Sequence, residues 1–168
     1  TDRILATGDI SLVDTTVISI EEIEFQAVAP AKLVVIRADQ VGAGLAANLV
    51  VDFAAVGTPD RFRVEMLSAT TVDLSQFQVQ DFFPGAGEAD QLIILGDNDS
   101  ETMRGTSVRD ELNGLGGDDL LDGGVGGDLL DGGSGSDRAT YANAAAGVIA
   151  NLTNPASNTG EAAGDTYV

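Results

Sequence analysis
Between Gly96 and Thr140 the chain keeps one nine-residue frame through five consecutive units, 96–104, 105–113, 114–122, 123–131 and 132–140. Slot one is glycine in every unit: Gly96, Gly105, Gly114, Gly123 and Gly132. Slot six is always acidic (Glu101, Asp110, Asp119, Asp128, Asp137), and slot eight is always apolar (Met103, Leu112, Leu121, Leu130, Ala139). Ordinary glycine usage of about 7% would put well under one glycine in five chosen positions, so the period is structural. Six glycine-rich residues make a tight turn, and the three that follow make a short strand whose middle residue points inward. Nine residues then form half a coil, so equivalent turns on one side lie 18 residues apart. Glu101, Asp119 and Asp137 fall on one side, Asp110 and Asp128 on the other.

Stacked strands lie ~4.8 Å apart, so slot-six carboxylates of neighbouring turns converge and repel unless a positive charge sits between them. Ca²⁺ suits that place, because it accepts six to eight hard oxygen ligands in forgiving geometry, and glycine turns expose backbone carbonyls. Mg²⁺ demands a stricter octahedron and keeps its waters. Zinc and copper prefer nitrogen or sulfur donors, and the 168 residues contain no His and no Cys. The same absences exclude disulfides, thiolate nucleophiles and the usual serine triad. A net charge of −19 repels nucleic acid, and no apolar run reaches the ~18–20 residues needed to span a bilayer. A phosphate cradle would need a lysine and a helix after the glycines, and neither follows.

The unit Gly123-Gly124-Val125-Gly126-Gly127-Asp128-Leu129-Leu130-Asp131 fits G-G-x-G-x-D-x-U-x at every position, and Gly132–Thr140 fits with Ala139 in the apolar slot. In these residues the chain resembles the RTX (repeats-in-toxin) family of secreted bacterial calcium-binding proteins. The resemblance implies a parallel β-roll with several Ca²⁺ ions between successive turns along both edges. Carried onto this sequence, it pairs Asp119 with Asp137, Asp110 with Asp128, and Glu101 with Asp119. It draws further ligands from Gly114, Gly116, Gly123, Gly126, Gly132 and Gly135. It also implies export by a one-step, type I-like apparatus that reads a C-terminal signal. No such signal is apparent at Ala162–Val168 and no initiator Met precedes Thr1, so an excerpt of a longer chain is expected.

Around the repeat, 14 of the 21 glycines fall in 85–140, which marks a boundary near Pro84–Gly85. Residues 1–84 read as strands of a solenoid-like segment, at Ile10–Val13, Val17–Ile20, Leu33–Ile36, Leu49–Phe53 and Phe62–Leu67. Ile20–Phe25 alternates as a strand, with Glu21, Glu22 and Glu24 on an exposed face, and Val41–Leu49 is the one candidate helix. Two segments echo the frame: 85–93, with Asp90 in slot six, and 160–168, with Asp165 in slot six and Tyr167 in slot eight. Residues 141–168 are therefore expected to continue the solenoid through a longer coil and end in a degenerate nonad. Asp122 and Asp131 in slot nine should face solvent. Arg37, Arg61 and Arg63 are read first as intrachain ion-pair partners, then as contacts for an anionic surface polysaccharide.

The expected fold is all-β, a right-handed parallel β-solenoid with an RTX-type calcium β-roll section that folds as the ion binds. The expected function is a non-catalytic structural module of an extracellular fibre, layer or adhesin. Uncapped ends would allow end-to-end self-association or continuation in a longer chain. The alternative is a folding and secretion appendage of an exported protease, lipase or alginate-modifying enzyme.

Overall fold
A computed structural model describes residues 3–6, 9–12, 20–25, 33–41, 45–53, 60–80, 82 and 90–168. The order of elements follows the sequence's apolar alternation. In chain order the strands are β1 (Arg3–Ala6), β2 (Ile10–Ser11), β3 (Ile20–Phe25), β4 (Leu33–Arg37), β5 (Leu45–Asp52), β6 (Arg61–Glu65), β7 (Thr71–Asp73) and β8 (Gln78–Gln80). They continue as β9 (Gln91–Leu95), β10 (Thr102–Arg104), β11 (Asp110–Asn113), β12 (Leu120–Asp122), β13 (Leu129–Asp131), β14 (Arg138–Ala139) and β15 (Thr166–Tyr167). The remaining regular structure is three short 3-10 turns, so the described protein is all-β.

Among the described residues every strand pairing is parallel. A seven-stranded sheet runs β15-β13-β11-β9-β6-β4-β2, spanning the change in glycine content. Two four-stranded sheets, β1-β3-β5-β8 and β14-β12-β10-β7, complete the topology. From β9 onward successive strands alternate between the long sheet and the second short one. In the first half partners are far apart in sequence: Val34 faces Phe62 and Val51 faces Val79, each 28 residues on. In the repeat the spacing falls to 18: Met103 faces Leu121, Leu112 faces Leu130, and Leu121 faces Ala139.

The change of spacing decides what fills the interior. The wide turns enclose aromatics, with Phe53 against Phe82 at 5.3 Å and Phe62 against Phe77 at 6.2 Å, both edge-to-face. The narrow turns enclose one aliphatic residue per strand, so Met103, Leu112, Leu121 and Leu130 of slot eight form a buried file continuous with the wider core. Fully burying one such side chain contributes roughly 1.5–3 kcal/mol.

Two expectations are corrected. The candidate helix Val41–Leu49 is largely strand: Leu45 opens β5, which is held between β3 and β8 by pairing that local propensity does not report, and 42–44 lie outside the described residues. The echo at 85–93 is out of step with the repeat. Asp110 faces Leu92, and it is Ile94 that stands on Leu112. β9 has five residues because it also pairs along its length with β6, burying both Leu92 and Ile94 beside Phe62 and Val64. Residues 85–89 lie outside the described residues, as do Val13, 17–19 and the side chains of Glu21 and Glu24. Glu22 is half-buried.

Candidate metal centre
Each slot-six acid stands at the end of a glycine turn, immediately before or at the start of a strand. The geometry there repeats every 18 residues. The N–H of Glu101 donates to Asp119 Oδ1 at 2.8 Å, that of Asp119 to Asp137 Oδ1 at 3.0 Å, and that of Asp110 to Asp128 Oδ1 at 2.9 Å. The N–H of Asp128 donates to Asp165 Oδ1 at 2.9 Å, 37 residues on, because 141–159 loops out before the register resumes. Thr166 and Tyr167 then face Leu129 and Leu130. Two columns of carboxylates result: Glu101, Asp119, Asp137 along one edge, and Asp110, Asp128, Asp165 along the other. Asp90 belongs to neither; its Oδ1 accepts the N–H of Asp60 at 3.0 Å.

In Asp119, Asp128 and Asp137 one oxygen thus ties two turns together and the other folds back over the slot-one glycine of its own turn, whereas Glu101 and Asp110 keep only the second arrangement. A Cβ on Gly105 would lie 2.5 Å from both Asp110 Oδ2 and the carbonyl oxygen of Gly123. A Cβ on Gly114 would meet Asp119 Oδ2 and lie 2.7 Å from the carbonyl oxygen of Gly132, and Gly96 is likewise hemmed in by Glu101 and the carbonyl of Gly114. Slot one is therefore glycine for want of space, whereas positive φ occurs at slot two (Gly124 89°, Gly133 80°) and slot four (Gly117 114°, Gly135 148°).

The carboxylates are deeply enclosed. Asp110, Asp119, Asp128, Asp165 and Glu101 are all buried. Burial, with the Asp165 charge added, raises Asp128 to about 7 despite the Asp110 N–H. Burial and the Asp119 charge likewise raise Glu101 to about 7. Burial together with Asp128 pushes Asp110 well above the usual carboxylate range, and burial also raises Asp119 and Asp165. Among the described residues three slot-six oxygens are buried without a hydrogen-bond partner, Glu101 Oε1, Asp119 Oδ2 and Asp128 Oδ2, and Asp122 Oδ1 in slot nine is in the same condition. A buried charged oxygen without a partner is costly. Hard oxygen donors, net negative charge and a space reserved by glycine fit a hard divalent cation such as Ca²⁺. Among the described residues no group of three acidic side chains is placed to hold a metal ion, so neutral oxygens, from carbonyls or water, would have to complete any ligand set.

The remaining expected ligands divide by position. The carbonyls of Gly114, Gly123 and Gly132 face the preceding turn beside its slot-six acid. Gly116 instead shares its N–H between the carbonyl of Asp97 in the turn before and that of Gly114 in its own turn, each at 3.0 Å. Gly126 and Gly135 pack on the carbonyls of Val108 and Gly117 in the turn before. The expectation of a solvated Asp122 is corrected: it is buried, 3.3 Å from Arg104 Nε, and accepts Asn143 Nδ2 at 2.8 Å. Slot nine lines up Asp73, Arg104 and Asp122 across three strands, and alternating charge makes that ladder favourable. Arg37 and Arg63 pair with Asp39 and Glu65 at 2.8 and 2.6 Å, while Arg61 is exposed. Thr106, Tyr141, Tyr167 and Asn158 also reach the carboxylates or their partners; the frame places Tyr167 in slot eight, but it announces none of the other three.

A scan of protein-family models, a search of curated proteins and a search of solved structures each returned no match to this chain.

Proposed function
We propose that this chain is an extracellular calcium-dependent structural module, a right-handed parallel β-solenoid whose 96–140 section is a calcium β-roll of the RTX type. In this reading it is exported by a one-step route and serves as part of a surface fibre, layer or adhesin, without catalysis of its own. One observation carries the proposal: buried slot-six oxygens without partners recur at Glu101, Asp119 and Asp128, in turns stacked with an 18-residue register. Asp119 and Asp128 would supply charge to the ion, Glu101 would share the first edge, and the carbonyls of Gly114, Gly123 and Gly132 would add neutral oxygens. A bound divalent cation supplies the positive charge that lets these buried carboxyls ionise. The protein residues fix the turns, exclude water and hold the carboxylates in columns.

Binding of that kind couples to folding, since the ion sites exist only when turns stack. Extracellular modules of this sort bind calcium at ~10⁻⁴–10⁻³ M, which leaves them loose inside a cell and ordered outside it. Circular dichroism and small-angle scattering with millimolar Ca²⁺, with Mg²⁺ and after chelation test the reading. Strand content and compactness should rise with Ca²⁺ alone. Identical signals in all three conditions would remove calcium from the account.

A further inference from the structure
The edge formed by Asp110, Asp128 and Asp165 is not uniform, and its irregularity lies in hydroxyl groups. At one end, Asp110 Oδ2 accepts the N–H of Thr106 at 2.7 Å, and the Thr106 hydroxyl lies 3.1 Å from each Asp110 oxygen. Thr106 occupies slot two, where the two best-matching units carry Gly124 and Gly133. At the other end, the Tyr141 hydroxyl lies 2.6 Å from Asp165 Oδ2. Tyr141 has one proton to give, and the carboxylate can only accept, so the Tyr167 hydroxyl 2.5 Å away donates to Tyr141. Asn158 Nδ2 donates in turn to the Tyr167 oxygen at 3.2 Å. The chain Asn158, Tyr167, Tyr141, Asp165 is therefore directed, with every donor spent toward the carboxylate. Between these ends sits Asp128, fully buried, with Oδ1 on the Asp110 N–H and Oδ2 without a partner.

We propose that the hydroxyls of Thr106 and Tyr141 take the place of a cation at the two ends of this column and confine the ion to Asp128. The inference rests on the calcium reading above and specifies which carboxylates that reading can use. A hydroxyl within hydrogen-bond reach partners a carboxylate oxygen without bringing a net charge, and it removes the unpaired-oxygen cost that a cation would otherwise offset there. Asp110 and Asp165 are satisfied by the protein itself; Asp128 is not. Thr106 and Tyr141 are thus positioning residues that set the number of ions on this edge. Tyr141 opens the looped segment that the repeat does not predict, which gives that insertion a role at the site: it carries the stopper to the last turn.

The experiment is a count of bound Ca²⁺ by equilibrium dialysis and metal analysis on the full chain, with folding checked by circular dichroism in each sample. Asp128→Asn should lose one ion per chain relative to the unsubstituted protein, and Asp165→Asn should lose none. Tyr141→Phe, which keeps the ring and removes the hydroxyl, should gain one ion, and Thr106→Val should gain one at Asp110. Loss of an ion in Asp165→Asn would overturn the proposal, as would unchanged counts in folded Tyr141→Phe and Thr106→Val, while leaving calcium binding intact. Absence of bound Ca²⁺ in the unsubstituted protein would overturn both the proposal and the reading beneath it. If Asp165→Asn does not fold, the two hydroxyl deletions still decide the matter, because both retain every charge.

Discussion
Leu115 occupies slot two of its unit, where the next two units have glycine, and its φ is 69°. The left-handed region costs a residue with a Cβ roughly 1–2 kcal/mol. Its side chain offers little in return, being 46% exposed. Leu115→Gly should therefore stabilise the protein by about 0.5–1 kcal/mol after the added freedom of the unfolded glycine is counted, read as a higher melting temperature in calcium. A fall in stability would mean the Leu115 side chain holds something its exposure conceals. Slot one behaves differently: those glycines have ordinary φ but sit under their own carboxylate, so there the added Cβ itself would be the problem. The same glycine letter thus answers two different physical demands within six residues. Periodicity reveals both positions without distinguishing them.

Each strand of the repeat contributes a single inward side chain, so the narrow section has little redundancy. Leu112 of β11 is fully buried between Ile94 of β9 and Leu130 of β13. Leu112→Ala should cost about 2–5 kcal/mol, measured by denaturant unfolding in excess calcium, because two neighbours lose contacts and short strands have few ways to close the gap. A cost under about 1 kcal/mol would show that the stacked turns, rather than the apolar file, hold the section together. The first-half strands are longer and their interior wider, which is why β9, sharing a sheet with both halves, takes five residues and breaks the nonad register. Sequence echo alone aligned Asp90 with Asp110; the strand pairing places Asp90 against Asp60 instead.

At the scale of the molecule, the enclosed acids make stability depend on pH. Asp128 moves from an ordinary 3.8 to about 7 on folding, and Glu101 from 4.5 to about 7. An acid whose folded value is raised contributes fully while it is protonated in both states, and that contribution is lost as pH rises through the folded value. The chelated protein should therefore be more stable near pH ~4–5 than near pH ~8, with its melting temperature falling between them, and millimolar calcium should abolish the fall. A flat profile in chelator would contradict the burial of these carboxyls. The sequence by itself determined the short strands, the turn period, the inward slot-eight residues and the two acid columns, because one backbone conformation repeated without a break imposes one residue type per slot. Tertiary structure decided the rest. It decided which oxygens stay unpartnered, why Asp122 is buried beneath Arg104 and Asn143, and how Tyr141 reaches Asp165 from 24 residues away. Those contacts join segments of unequal length across stacked turns, and no local pattern encodes a distance that depends on where the chain returns.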